Sequence, residues 1–195
     1  MTDPKTIATY SKRASEYLKL NTGARHDPVF QAFLDALPPA ADILDLGCGP
    51  GTTAAQMIAA GHNVLGLDPT PEFIEIARSK GVPTKLGTFD DVTELAAFDA
   101  IWANFSLLHA TKTDFRRHLA ALHRALRPSG LLHLGMKLGS GQARDTLGRF
   151  YAYYSDAELT VLLTEAGFTA ITRQFGEDLG LAGDVEPWIV ITAHA

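Results

Sequence analysis

Asp45, Gly47, Gly49 and Gly51 alternate through the stretch ADILDLGCGPGTTAAQM, and Asp68 follows Gly47 by 21 positions. Glycine lets a backbone turn at positive φ and admits a ligand where a Cβ would otherwise stand, while the first N–H groups of a following helix lie open to it. Three kinds of ligand can be weighed against this spacing. A P-loop for phosphate requires Gly-Lys followed by Ser or Thr, and this loop has no lysine. A dinucleotide fingerprint requires a third glycine where Thr52 stands. What remains is an acid before the loop and an acid at the end of the next apolar run. The two oxygens of Asp68 match a vicinal diol such as that of a ribose. Asp45 can hold an ammonium group, directly or through water. A nucleoside joined to an amino acid is the ligand these residues suit.

Other side chains could serve an acceptor. His109 ends the segment FSLLH, where it could be a general base, a hydrogen-bond donor to substrate, or a satisfied histidine at a helix start. The segment KLGSGQARDTLGRFYAYY, residues 137–154, carries Lys137, Arg144, Arg149 and Tyr151 in a chain of net charge -5, so its positive charge is local. Guanidinium meets carboxylate or phosphate with paired hydrogen bonds, and the segment is expected to touch the acceptor, an anionic one included. The plainer reading is a surface loop in which Arg144 pairs with Asp145 and the tyrosines pack on the sheet. Tyr10 and Tyr17, near the start of the chain, form a second acceptor-facing set. Cys48 reads as a small loop residue with nothing beside it to depress its pKa. Gly51 reads either as a ligand contact or as an aid to close helix packing.

The elements that must hold these residues are legible from the order of apolar runs. ILDL, NVLGL, VPTKLG, FDAIWAN and GLLHLGMK read as strands ending at Gly47, Asp68, Gly87, Asn104 and Lys137. Between them lie helical stretches at 52–60, 71–80 and 113–126, punctuated by Gly61, Pro71, Gly81, Pro128 and Gly130. Short continuous strands alternating with helices predict a parallel sheet covered on both faces, an α/β doubly wound fold. Residues 5–20 and 27–37 read as two added N-terminal helices split by NTGARHDP, and 156–166 as a late helix. TAITRQF and PWIVITAHA, joined by GEDLGLAGDVE, suit an antiparallel pair, since the connection is too short for a crossover.

At 195 residues and 46% hydrophobic content, one domain with one sizeable core is the expectation. It divides into a helical cap over 1–37 and a ligand-binding core over 38–195. The negative balance argues against nucleic acid and anionic membrane as partners. The single cysteine excludes an internal disulfide and a multi-cysteine zinc site, and no metal is expected. The polar start and the lack of a long apolar run point to a cytoplasmic protein.

LDLGCGPG together with GLD resembles the cofactor site of class I S-adenosylmethionine-dependent methyltransferases, and the resemblance extends over FDAIWANFSLLH, LRPSGLLHLGMK and the terminal strand pair, from about residue 27 onward. It implies a Rossmann-like sheet in the order 3-2-1-4-5-7-6 with the seventh strand antiparallel and the cofactor across the strand carboxyl ends. It also implies that Asp45, Gly47, Cys48 and Gly49 hold the methionine portion of S-adenosyl-L-methionine and that Asp68 holds its ribose. Thr88, Phe89 and Asp90 would reach the adenine, and Asn104 and Phe105 would contact the methionine end and wall the site. The sulfonium carbon is already electrophilic, so such a protein must chiefly align the nucleophile and exclude water. The Asn-Pro-Pro-Tyr type sequence of amine methylation is absent, with ANFS in its place, which argues against exocyclic amines and nucleic-acid bases. The implied function is methyl transfer to a small-molecule acceptor. Two alternatives stand beside it: a non-catalytic S-adenosylmethionine-binding sensor or partner subunit, and an NAD-dependent oxidoreductase.

Overall fold

The structure, a computed structural model, describes residues 3–20 and 28–195; most of the NTGARHDP segment lies outside the described residues. Strands β1 (Asp42–Leu46), β2 (Asn63–Asp68), β3 (Thr84–Leu86), β4 (Phe98–Asn104) and β5 (Leu126–Lys137) pair in parallel. A short ribbon, β6 (Gln142–Arg144) with β7 (Phe150–Ala152), stands apart from the sheet. Strands β8 (Thr169–Leu179) and β9 (Val185–His194) complete a seven-stranded sheet in the order β3-β2-β1-β4-β5-β9-β8. β9 runs antiparallel to both of its neighbours. This is the expected Rossmann-like arrangement, with the last strand reversed.

Helices cover both faces because side chains alternate across each strand. Leu44 and Leu46 of β1 join Ile101 and Ala103 of β4 in one core, and Ile43, Ala100 and Trp102 point into the other. The first core is closed by Phe115, Leu119 and Leu122 of a helix over Lys112–Ala125 and by Leu159 and Leu163 of another over Asp156–Glu165. The Lys112–Ala125 helix starts where Thr111 accepts the Asp114 N–H at 3.1 Å, a side-chain cap that satisfies an orphan donor. The second core is closed by Phe33 on a helix over Pro28–Asp35, by Ala54 and Met57 over Thr52–Ala59, and by Ala77 over Pro71–Ser79. Trp102 stacks on buried His133 at 3.5 Å between ring centroids, with Phe33 edge-on to Trp102 at 4.8 Å. Burying an apolar side chain such as Phe33 contributes about 1.5–3 kcal/mol.

Three departures from the sequence reading have local causes. The N-terminal helix breaks at Arg13, whose N–H is shared by the carbonyls of Thr9 and Tyr10. Two helices result, α1 (Pro4–Lys12) and α2 (Ala14–Leu20). In chain order the remaining helices are therefore α3 (Pro28–Asp35), α4 (Thr52–Ala59), α5 (Pro71–Ser79), α6 (Lys112–Ala125) and α7 (Asp156–Glu165). The segment after β5 is a hairpin and not an irregular loop, with Ala143 opposite Tyr151. Finally, β8 and β9 stay paired out to Leu179 and Val185, so GEDLGLAGDVE contracts to a turn closed by the Gly180 N–H on Asp184 O at 2.8 Å. Gly176 permits that extension, because a Cβ there would stand 2.2 Å from the Trp188 indole.

Candidate active site

A cavity of about 230 Å³ opens where β1, β2 and β4 end. Gly47, Gly49, Asp68, Phe89, Asn104 and Phe105 line it from the sheet side. Tyr10 of α1, Tyr17 of α2 and His109 close it from above. Asp45, Cys48, Thr88 and Asp90 are not on its wall, and neither are Lys137, Arg144, Arg149 and Tyr151. The cavity therefore gathers most of the residues singled out for the cofactor, together with the two N-terminal tyrosines.

Strand β1 delivers Asp45 and then turns. The Gly47 and Cys48 N–H groups both donate to Leu67 O, at 2.7 and 3.2 Å, fastening the loop to β2. The glycines answer to different neighbours. Gly47 has φ +76° and a Cβ there would stand 2.4 Å from Ser106 Cβ, so the loop and the end of β4 meet only because the side chain is missing. Gly49 has φ +52°, and among the described residues a Cβ there would meet only Tyr17 Cε1, at 3.9 Å. Gly51 packs on α5, where a Cβ would meet Ala77 Cβ at 2.7 Å, so close helix packing is its structural role. Gly47→Ala combines left-handed backbone strain with overpacking and is expected to lower stability by roughly 2–4 kcal/mol. Urea denaturation checks this, and an unchanged midpoint would mean that the approach to Ser106 is loose.

Asp68 is buried, and its two oxygens accept the N–H groups of Gly49 and Thr70 at 2.9 and 2.8 Å. These bonds fix the carboxylate at the cavity wall while each oxygen keeps a second acceptor direction. Burial raises its pKa, against the pull of both N–H groups. Asp45 is buried off the wall, 3% exposed, and among the described residues its Oδ2 has no hydrogen-bond partner. Burial, with the charge of Asp68, pushes its pKa up to about 7. A buried carboxylate oxygen left unpaired calls for a cation or a water. Cys48 turns its side chain to the sheet, where a Cβ on Gly66 would meet its Sγ at 2.8 Å. Burial raises its thiol pKa far above the ordinary value, and no thiolate chemistry follows.

Phe105 is bulky yet has φ +53°, a conformation that costs such a residue of order 1–3 kcal/mol and clusters at functional sites. Its turn leaves Asn104 on the cavity wall, where Asn104 Oδ1 accepts from His133 Nε2 at 3.0 Å. Gly135 gives that amide room, since a Cβ would come within 2.6 Å of Oδ1. Of the 88–90 segment, Phe89 alone reaches the cavity. Thr88 and Asp91 exchange capping hydrogen bonds, and Asp90 pairs with Arg117.

Above the cavity, His109 is held on both sides. Phe150 O lies 2.6 Å from Nδ1 and, being a carbonyl, accepts, so Nδ1 carries the proton. Nε2 is then the acceptor for the Tyr10 hydroxyl at 3.0 Å. Arg149 donates to that same Tyr10 oxygen at 3.0 Å and pairs with Asp145 at 2.7 Å. Burial pushes His109 down to about 4, so the imidazole is neutral near pH 7. Arg144 pairs with Asp3 at 2.7 Å and not with Asp145, and it holds the Asp3 carboxyl well below the usual range. Lys137 pairs with Glu186 and lies 4.0 Å from the Tyr151 ring centroid.

Thr6, Ile7, Phe73 and Ser106 also line the cavity and were not singled out from sequence. Phe73 stands on the helix opened by Pro71, five positions after Asp68, and Ser106 adjoins Phe105, so both lay within reach of the motifs. Nothing local marks Thr6 or Ile7.

Residues 43–130 match the family model of a methyltransferase domain. The chain is 32% identical over 164 residues to a tRNA U34 carboxymethyltransferase of Methylococcus capsulatus, covering 74% of this chain and 50% of that protein. It is 35% identical over 153 residues to a trans-aconitate 2-methyltransferase of Deinococcus radiodurans, covering 71% of this chain and 58% of that one. The chain thus spans about half the length of these curated relatives. Among solved structures it superposes on the 1,6-didemethyltoxoflavin-N1-methyltransferase of Burkholderia thailandensis, bound to its substrate and S-adenosylhomocysteine. The TM-score is 0.80 at 25% identity, over 97% of this chain and 87% of that chain. With the glycine loop, the two acids and the reversed last strand in place, the chain belongs to the class I S-adenosylmethionine-dependent methyltransferase family.

Proposed function

We propose that this protein transfers a methyl group from S-adenosylmethionine to a small-molecule acceptor. The observation that carries the reading is the buried Oδ2 of Asp45, on β1 just before the glycine loop, which has no hydrogen-bond partner among the described residues and which an amino-acid ammonium would satisfy directly or through a water. Asp68 would accept the ribose hydroxyls with the acceptor directions its two N–H bonds leave open. The missing side chain at Gly49, where among the described residues a Cβ would meet only Tyr17 Cε1 at 3.9 Å, would admit the methionine portion, Phe89 would pack on the adenine, and Asn104 and Phe105 would bound the methyl end. When bound, the cofactor supplies a methyl carbon made electrophilic by its sulfonium. The chain's own task is alignment and exclusion of water, and Tyr10, Tyr17 and Phe73 form an aromatic cover with ring centroids 5.3–6.0 Å apart. A cavity bordered by a neutral histidine favours a catalyst over a sensor of the same fold, and Thr52 in place of a third glycine disfavours NAD.

Turnover with methyl-labelled S-adenosylmethionine against pools of small metabolites and of RNA tests this reading. Label is expected in a small molecule, and label confined to RNA would contradict the acceptor class. Among the described residues no helix is long and apolar enough to cross a membrane.

The Asp45 assignment also sets a pH dependence. A proton and the ammonium compete for a carboxylate whose pKa stands at about 7, so affinity should fall as pH drops through that value. Between pH 8 and pH 6 calorimetry should record roughly a tenfold weakening, with protons released on binding. A flat profile would detach Asp45 from the ammonium.

A further inference from the structure

The cations that made an anionic acceptor attractive are all neutralised within the chain. Arg144 is held by Asp3 with contacts of 2.7 and 2.8 Å, Arg149 by Asp145 at 2.7 Å, and Lys137 by Glu186. Of the ionisable groups that line the cavity among the described residues, one is an acid, Asp68, while Asp45 is buried off the wall. The rest, Tyr10, Tyr17 and His109, are neutral near pH 7. Among the described residues, an anionic acceptor would meet the Asp68 carboxylate on the wall and no uncommitted cation. The apolar part of the wall, Ile7, Phe73, Phe89 and Phe105 with the two tyrosine rings, suits a flat apolar body.

The same geometry supplies a proton acceptor. His109 Nδ1–H is spent on Phe150 O, which leaves Nε2 as a base, and the Tyr10 hydroxyl sits on it at 3.0 Å, both residues lining the cavity. Arg149, itself fixed by Asp145, donates to the Tyr10 oxygen, orienting the phenol so that its O–H points at His109. A hydroxyl arriving at the Tyr10 oxygen can therefore pass its proton inward as Tyr10 passes its own to Nε2.

We propose that the acceptor is a small, uncharged aromatic hydroxy compound, deprotonated by His109 through Tyr10, with Arg149 and Asp145 as the positioning pair. This rests on the methyl-transfer reading. In the step, the acceptor oxygen forms the bond to the methyl carbon and the carbon–sulfur bond breaks with its electron pair passing to sulfur. The acceptor proton goes to Tyr10, the Tyr10 proton goes to His109 Nε2, and the imidazolium later loses it to water. Arg149→Lys would keep the charge and lose the fork that aims Tyr10, so it should lower kcat while leaving KM nearly unchanged.

The test uses the full chain, labelled S-adenosylmethionine and matched probes. These are 2-naphthol, which is uncharged at neutral pH, 2-naphthoate, which carries a carboxylate on the same rings, and 4-nitrophenol, which is largely ionised at pH 8. Transfer to 2-naphthol is expected to exceed transfer to 2-naphthoate at least tenfold. Tyr10→Phe and His109→Asn are expected to lower kcat on 2-naphthol about tenfold, and the loss should shrink to a few-fold on 4-nitrophenol, which needs no base. A merely structural role for either residue would reduce both hydroxyl probes alike. Preference for 2-naphthoate, no transfer to either hydroxyl probe, or equal losses on both would overturn the proposal while leaving cofactor binding intact. Failure of the wild-type protein to bind S-adenosylmethionine would overturn the methyl-transfer reading and this proposal with it.

Discussion

Gly49→Val should abolish measurable binding of S-adenosylhomocysteine, a loss of at least ~100-fold in affinity by calorimetry (about 2.7 kcal/mol), while the protein stays folded. Gly49 sits at φ +52°, where a β-branched residue is a steric outlier. Its Cβ would enter the space the ligand needs, yet among the described residues it meets only Tyr17 Cε1, at 3.9 Å. The substitution therefore costs strain but no core clash, in contrast to Gly47, whose Cβ runs into Ser106. Binding and stability should separate at Gly49 and fall together at Gly47. Wild-type affinity in a folded Gly49→Val variant would mean that this loop is not the cradle.

The second large effect is expected at Asp68. Removing a charged acceptor of two hydroxyls should cost ~2–3 kcal/mol of binding, or roughly 30–150-fold in affinity. Asp68→Ala also strands the Gly49 and Thr70 N–H groups that the carboxylate now satisfies, so some loss of stability accompanies it. Asp68→Asn separates the two, since the amide oxygen retains one of those bonds but not the charge. Affinity should drop in both variants and stability chiefly in the first. Unchanged affinity in either folded variant would remove Asp68 from the ribose.

The fold and the cofactor side were legible because both are written locally. Strands buried on two faces must be apolar throughout, so β1, β2, β4 and β5 announce themselves, and the acids mark the strand ends from which ligands are reached. The acceptor side is assembled from residues far apart in sequence. Tyr10 meets His109 across 99 positions, and Arg144 meets Asp3 across 141, distances at which no periodicity or spacing survives. The same holds for charge. Lys137, Arg144 and Arg149 look like an anion site only until their partners Glu186, Asp3 and Asp145 are placed beside them. The ribbon of β6 and β7 is not legible in the sequence because each strand has three residues, too few for an alternation to register. The break at Arg13 involves neither glycine nor proline, the usual punctuation.

The most direct test of the central claim is a parallel calorimetric titration of the wild-type protein with S-adenosylhomocysteine and with NAD. Saturable binding of S-adenosylhomocysteine at one site per chain, weakened by Asp68→Asn, with no heat from NAD, is the predicted result. Binding of NAD in preference to S-adenosylhomocysteine, or of neither, would contradict the account.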